Sequence, residues 1–183
     1  MAVLVVDNLS PFTADILSCL AQLDKPYLHK RFSEISNEDL AQCDKVILSG
    51  RRKYNKQINA VNSSIIRYCH CSNKPLLGIC YGAEIIALTL GGSIRKMPAH
   101  VQGMTKVSLS TPNPLTEGKK SIFVYQSHRY CIAKLPSNFK SLASSKHCEH
   151  EVFSNNSKMY GTQFHPEKSG GDGLALLKNF LTT

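Results

Sequence analysis

The apolar positions of this chain fall into short runs separated by segments of helical period. Val3–Val6 is a continuous apolar run closed by Asp7-Asn8, as expected of a buried strand. Pro11–Leu23 repeats its apolar residues with helical spacing, Ile16, Leu17 and Leu20 sharing a face and Ser10 placed to cap it. Pro26–His29 predicts a second strand, and Ser36–Gln42 a short helix capped by Ser36 with Asp39 three residues on. Lys45–Ser49 predicts a third strand, Gln57–Cys71 a helix, and Leu76–Ile79 a fourth, fully apolar strand. A sharp turn at Cys80 then feeds a helix over Ala83–Leu90, stopped by Gly91-Gly92.

Beyond that point the pattern changes. Lys106–Ser110, Ile122–Tyr125, Ser141–Ala143, Glu151–Ser154 and Met159–Gln163 predict strands without helices between them, and Gly173–Leu181 a closing helix. Alternating strand and helix followed by consecutive strands predicts an α/β fold. We expect a mostly parallel central sheet flanked by helices, flavodoxin-like and three-layered, with an antiparallel strand extension in the C-terminal half. No repeat or low-complexity linker divides the chain, so residues 1–183 are expected to form one domain.

Composition narrows the class. At 42% hydrophobic and 19% charged residues the chain reads as globular. No apolar run approaches the roughly 20 residues of a membrane span, and Met1–Val6 reads as a first strand rather than a signal peptide. Seven irregularly spaced cysteines predict free thiols and a cytoplasmic location. Asn-x-Ser matches at Asn8, Asn62 and Asn155 are then chance. The net charge of +9 is spread along the chain, its densest cluster being Arg51-Arg52-Lys53, so nucleic acid is not expected as the partner.

The chemistry concentrates in two places. Gly78-Ile79-Cys80-Tyr81-Gly82 sets a cysteine between glycines, after an apolar strand and before a helix. That is the nucleophile elbow with sulfur in place of oxygen. The glycines make room for a strained turn, and the following helix N-terminus favours thiolate. A free cysteine elsewhere is by default a small buried residue, and the other six are read so. Near the end, Gln163-Phe164-His165-Pro166-Glu167 offers a base and an orienting carboxylate two residues apart at a strand end, stiffened by Pro166. Cys80 would attack, His165 would carry the proton and Glu167 would hold the ring. Cys69-His70-Cys71 and His147-Cys148-Glu149-His150 match no common zinc spacing, so no metal is expected. Ser169-Gly170-Gly171-Asp172-Gly173 is like the start of an ATP-binding loop but reads better as a helix start.

Together the two motifs resemble the class I glutamine amidotransferases, and the similarity extends over essentially the whole chain, including the opening Val-Val-Asp-Asn and Leu48-Ser49-Gly50. The resemblance implies glutamine as substrate, hydrolysis through a γ-glutamyl thioester, no cofactor, and ammonia passed to an ATP-dependent synthase subunit. It further implies oxyanion donors at Gly50 and Tyr81 and substrate contacts at Glu84, Ser127 and His128. The chain departs from the family at three places. Glu84 stands where a glutamine is usual, Arg51-Arg52 where the loop is usually Gly-Pro, and Tyr130 where many members carry Asp. The arginines could hold the Gly50 loop off the site until a partner's acidic groups pair with them.

Within the family, Ser127-His128, Ala133-Lys134-Leu135-Pro136 and Phe139-Lys140-Ser141-Leu142-Ala143 resemble the glutaminase subunit of two-subunit GMP synthetases. The ending Phe164–Ser169 is also similar to the glutaminase of imidazole glycerol phosphate synthase. Anthranilate and aminodeoxychorismate synthase subunits share the plan. A non-catalytic regulatory relative and a hydrolase or peptidase built on the same elbow are the readings of other classes.

Overall fold

The computed structural model describes residues 2–110, 112–155 and 158–183. Its helices are α1 (Thr13–Gln22), α2 (Asn37–Gln42), α3 (Lys56–Cys71), α4 (Tyr81–Thr89) and α5 (Gly170–Thr182). Its strands are β1 (Val3–Asp7), β2 (Tyr27–Arg31), β3 (Lys45–Leu48), β4 (Leu76–Ile79) and β5 (Ser93–Leu109), then β6 (Ser121–Lys134), β7 (Lys140–Ser144), β8 (Val152–Ser154) and β9 (Met159–Thr162). They form one sheet in the order β2-β1-β3-β4-β9-β8-β7-β5-β6.

The first five strands in that order are mutually parallel; the four beyond β9 pair antiparallel. The parallel part has the flavodoxin-like order, and the antiparallel part is the extension expected from the helix-free half of the sequence. Strand alternation divides the interior in two. Val3, Val5, Ile47 and Leu77 face α1 and α5, packing on Ile16, Leu20, Leu176 and Phe180. Leu4, Val6, Val46 and Leu48 face α2, α3 and α4, packing on Leu40, Ile58, Ile66 and Ile86. This gives the three layers.

Local signals explain most boundaries. The Ser36–Asp39 capping box starts α2, with the Ser36 hydroxyl accepting from Asp39 N–H and the Asp39 carboxylate accepting from Ser36 N–H. Asn55 caps α3. Ser10 does not cap α1: its hydroxyl accepts from Phe12 N–H at 3.1 Å, and the helix begins later, at Thr13. Two strands are much longer than their apolar cores. β5 reaches back to Ser93 and β6 forward to Lys134, because each serves as the other's partner along an antiparallel ribbon with irregular register near Lys96–Val101. Backbone pairing there extends past the burial that the sequence pattern reports.

Asn8 and Asn62 are fully buried and hydrogen-bonded to each other at 2.7 and 3.1 Å, so neither is open to a glycan. The third Asn-x-Ser match ends at a residue outside the described ones. All seven cysteines are free. No described helix is long and apolar enough to cross a membrane.

Candidate active site

The site lies at the carboxyl ends of β1, β3, β4 and β9, at the topological switch of the parallel sheet, where open α/β sheets bind ligands. β4 delivers Cys80 into the turn before α4 with φ 51° and ψ −103°, a left-handed conformation outside the usual αL well. Holding a non-glycine there costs about 1–3 kcal/mol. The surroundings enforce it. Cys80 N–H donates to the Thr162 carbonyl of β9 at 2.7 Å, and its own carbonyl accepts from Glu84 N–H at 3.0 Å. The flanking glycines are sterically required: a Cβ on Gly78 would sit 2.4 Å from the Gly82 backbone, and one on Gly82 2.5 Å from the Leu48 carbonyl.

His165 and Glu167 do not lie at a strand end, as expected from their spacing. β9 stops at Thr162, and Pro166–Lys168 form a 3₁₀ turn. That turn, rather than strand alternation, brings Glu167 back beneath the ring, so that Nδ1–H donates to Glu167 Oε1 at 2.8 Å. The ring lies beside Cys80: each shifts the other's titration, and His165 Cε1 and Cys80 Cβ both border Gly50, so the three side chains form a Cys80–His165–Glu167 line. The backbone of His165 is pinned by its N–H to the Tyr125 carbonyl at 2.9 Å and by Ser169 Oγ to its own carbonyl at 2.6 Å. Phe12 meets the ring edge-on at 4.8 Å.

Burial works against charge on both reacting groups, pushing the Cys80 thiol up while the neighbouring His165 draws it down. For His165, burial lowers the pKa, but Cys80 and Glu167 outweigh it and hold the imidazole well above its usual 6.5. The net effect leaves the Cys80 thiol above its ordinary value and makes His165 a stronger base than a free imidazole, suited to take the thiol proton as the sulfur attacks.

The remaining expected residues surround this line. A Cβ on Gly50 would lie 3.2 Å from His165 Cε1 and 3.9 Å from Cys80 Cβ, so the loop after β3 is packed against the site. The arginines therefore do not hold it away. Arg51 turns inward, its guanidinium 3.9 Å from the Tyr81 ring centre, with a 2.7 Å bond to Asn59 Oδ1. Tyr81 O–H donates to the same oxygen at 2.9 Å. Stacking and a shared acceptor hold the loop in this position. Tyr81 opens α4, so its backbone N–H has no intrahelical acceptor.

Glu84 is 8% exposed, on the cavity wall, and accepts from Gln163 Nε2 at 3.1 Å. Burial pushes its carboxyl up to about 7, against the lowering pull of that bond and of Arg51. The Ser127 carbonyl faces the thiol, with Sγ at 3.8 Å. His128 also borders the cavity, but its Nδ1 bonds the Tyr130 carbonyl at 2.7 Å, and burial pulls its pKa to about 4, leaving it neutral. Tyr130, where many relatives carry an acid, thus contributes its backbone.

The sequence reading missed Phe12, Asn59 and the contact of Gln163 with Glu84; only Gln163, beside His165 in the motif, offered a signal. Cys80 and His165 open into a cavity of about 740 Å³ that also borders Ser10, Arg51, Glu84 and Tyr130. A smaller depression of about 310 Å³ between α2 and α3 carries no carboxylate, imidazole or thiol. Among the described residues no cluster of three or more metal-ligating side chains occurs.

The family model of glutamine amidotransferase class-I matches residues 4–183, and the chain belongs to this family. It is 38% identical over 117 residues to the glutamine-hydrolyzing GMP synthase subunit of Sulfolobus acidocaldarius, the match covering 62% of each chain. It is 33% identical over 161 residues to the GMP synthase of Borreliella burgdorferi, covering 85% of this chain but only 30% of that protein. A solved Thermoplasma acidophilum structure, provisionally assigned as a GMP synthase subunit, superposes with TM-score 0.89 at 31% identity. That superposition covers 100% of this chain and 92% of the other.

Proposed function

We propose that the chain, acting as one domain, is the glutamine-hydrolysing subunit of a GMP synthetase. In this reading it cuts glutamine to glutamate and ammonia and passes the ammonia to an ATP-dependent synthase subunit that aminates XMP in the cytoplasm. The observation that carries the reading is the buried Cys80–His165–Glu167 line opening into a cavity at the switch point of the sheet.

The chemistry follows from the geometry. His165, oriented through Nδ1 by Glu167, takes the Cys80 proton. Sγ attacks the amide carbon, and the oxyanion forms beside the backbone N–H groups of Tyr81 and Gly50. His165 then gives its proton to the leaving amine, the C–N bond breaks, and a γ-glutamyl thioester remains. Water, activated by the same ring, releases glutamate. The Glu84 position borders the substrate's amino end, and the Ser127–His128 backbone borders its carboxylate. The particular synthase is supported by the relatives at 38% and 33% identity.

The test is glutamate formation by the purified chain, alone and with a GMP synthetase's ATP-dependent subunit, ATP and XMP. The reading expects glutamine-dependent GMP from the mixture, lost with Cys80→Ala. Glutamine turnover without GMP would keep the glutaminase and reassign the partner. No turnover in either condition would remove both.

A further inference from the structure

We propose that the same site also hydrolyses γ-glutamyl amides larger than glutamine whose leaving amine carries a carboxylate, γ-glutamyl dipeptides being the simplest. The inference rests on the glutaminase reading above and extends its substrate class.

Three observations carry it. The first is size. Pockets of roughly 300–1,000 Å³ enclose drug-sized ligands, and this one, at about 740 Å³, is far larger than a single amino acid needs. The second is where the excess space lies. His165 must protonate the leaving nitrogen, so a substituent on that nitrogen extends past the imidazole. Beside the ring the wall includes Ser10, Pro11 and Phe12, with Phe12 at 4.8 Å from the imidazole and half-buried, while Pro11 is exposed. The wall next to the imidazole thus reaches the surface at Pro11 rather than closing over the ring, which leaves room for a substituent on the leaving nitrogen.

The third observation is charge. Arg52, Lys53 and Arg129 border the cavity, and among the described residues none of them pairs with a carboxylate. Glu84 is the one carboxyl on the described wall, and it is taken up by Gln163 and the glutamyl side. Arg51 is occupied by Asn59 and Tyr81, which leaves its two exposed neighbours for a ligand. Tyr54, 68% exposed on the same wall, adds an aromatic face for the peptide unit. Glutamine's single carboxylate is placed at the Ser127–His128 backbone in the reading above, and its leaving group is ammonia, so it has no second carboxylate for these groups.

The reaction balances without a co-reactant. Sγ of Cys80 bonds to the γ-carbon, the C–N bond breaks with its electron pair on nitrogen, and His165 supplies the proton that frees the amine. Water then cleaves the thioester. The products are glutamate and the free amino acid or peptide, one water being consumed. The amide's substituent does not enter the bond changes, so access and recognition decide whether it is a substrate.

The experiment measures hydrolysis of glutamine, γ-glutamylglycine and γ-glutamylglycinamide by the full chain, by Cys80→Ala and by Arg52→Ala/Lys53→Ala. Expected is a kcat/KM for γ-glutamylglycine within about tenfold of that for glutamine, abolished by Cys80→Ala. The double variant should raise KM for γ-glutamylglycine by roughly three- to tenfold, as loss of one or two exposed charge pairs would. Glutamine and the uncharged glycinamide should stay unchanged. Cleavage of glutamine but not of γ-glutamylglycine overturns the proposal and leaves the glutaminase standing. Cleavage of neither overturns both. Equal losses for the charged and uncharged dipeptides, or a loss confined to synthase-stimulated glutamine turnover, assign the cations another role, the latter a protein partner, and also overturn it.

Discussion

Replacing Glu84 by the amide usual in this family gives a test whose size follows from the burial. In the native chain the carboxyl is 8% exposed and is pushed up to about 7, against an ordinary value of 4.5, mainly by desolvation. A folded-state pKa raised above the unfolded one contributes stability that is complete below pH 4.5 and is lost as pH rises through 7. The difference corresponds to about 3 kcal/mol once pH exceeds 7. Glu84→Gln has no proton to lose. Relative to the parent it should therefore gain nothing from this source at pH 4.5 and about 3 kcal/mol at pH 8, the gain developing between those values. The amide also brings an N–H close to Gln163, whose Oε1 is buried without a partner among the described residues. Urea unfolding of both proteins from pH 4.5 to 8 measures the difference directly, since every other titrating group is common to the pair. A stability difference that is flat across this range refutes the assignment of a neutral buried carboxyl. In the same variant, KM for glutamine should fall or stay unchanged; a rise would mean that the carboxylate, not merely the position, holds the substrate.

Cys80→Ala or Cys80→Ser should remove at least about 10⁴-fold of glutamine turnover while circular dichroism stays native, and His165→Ala should be nearly as damaging. Glu167→Gln should be milder, and the His165→Ala/Glu167→Gln double variant should cost little beyond His165→Ala; independent, additive losses would contradict a single working unit. Arg51→Ala, which frees the loop from Tyr81 and Asn59, should lower kcat/KM by roughly threefold to thirtyfold, the range of a cation–π contact, whereas an activity gain would restore the idea that the arginine obstructs the site. Gly161→Ala would place a Cβ 2.1 Å from the Phe153 ring and should cost about 3 kcal/mol in thermal or urea unfolding.

By itself the sequence determined the layered α/β plan, because apolar runs and helical periods are local properties. It also determined the elbow, because Gly-x-Cys-x-Gly between a strand and a helix permits few backbone paths: Gly78 and Gly82 leave no room for a Cβ. The capping of α2 by Ser36 and Asp39 was equally local. Tertiary structure decided what depends on distant partners. The lengths of β5 and β6 come from their mutual hydrogen bonds, which polar residues share as readily as apolar ones. Glu167 reaches His165 through a 3₁₀ turn that two-residue spacing does not specify. The inward turn of Arg51 needed Tyr81 and Asn59, 30 and 8 residues away, brought to one place by α3 and α4. The elevated pKa of Glu84 needed a dry wall and Gln163, and no pattern along the chain records how much water a folded cavity excludes.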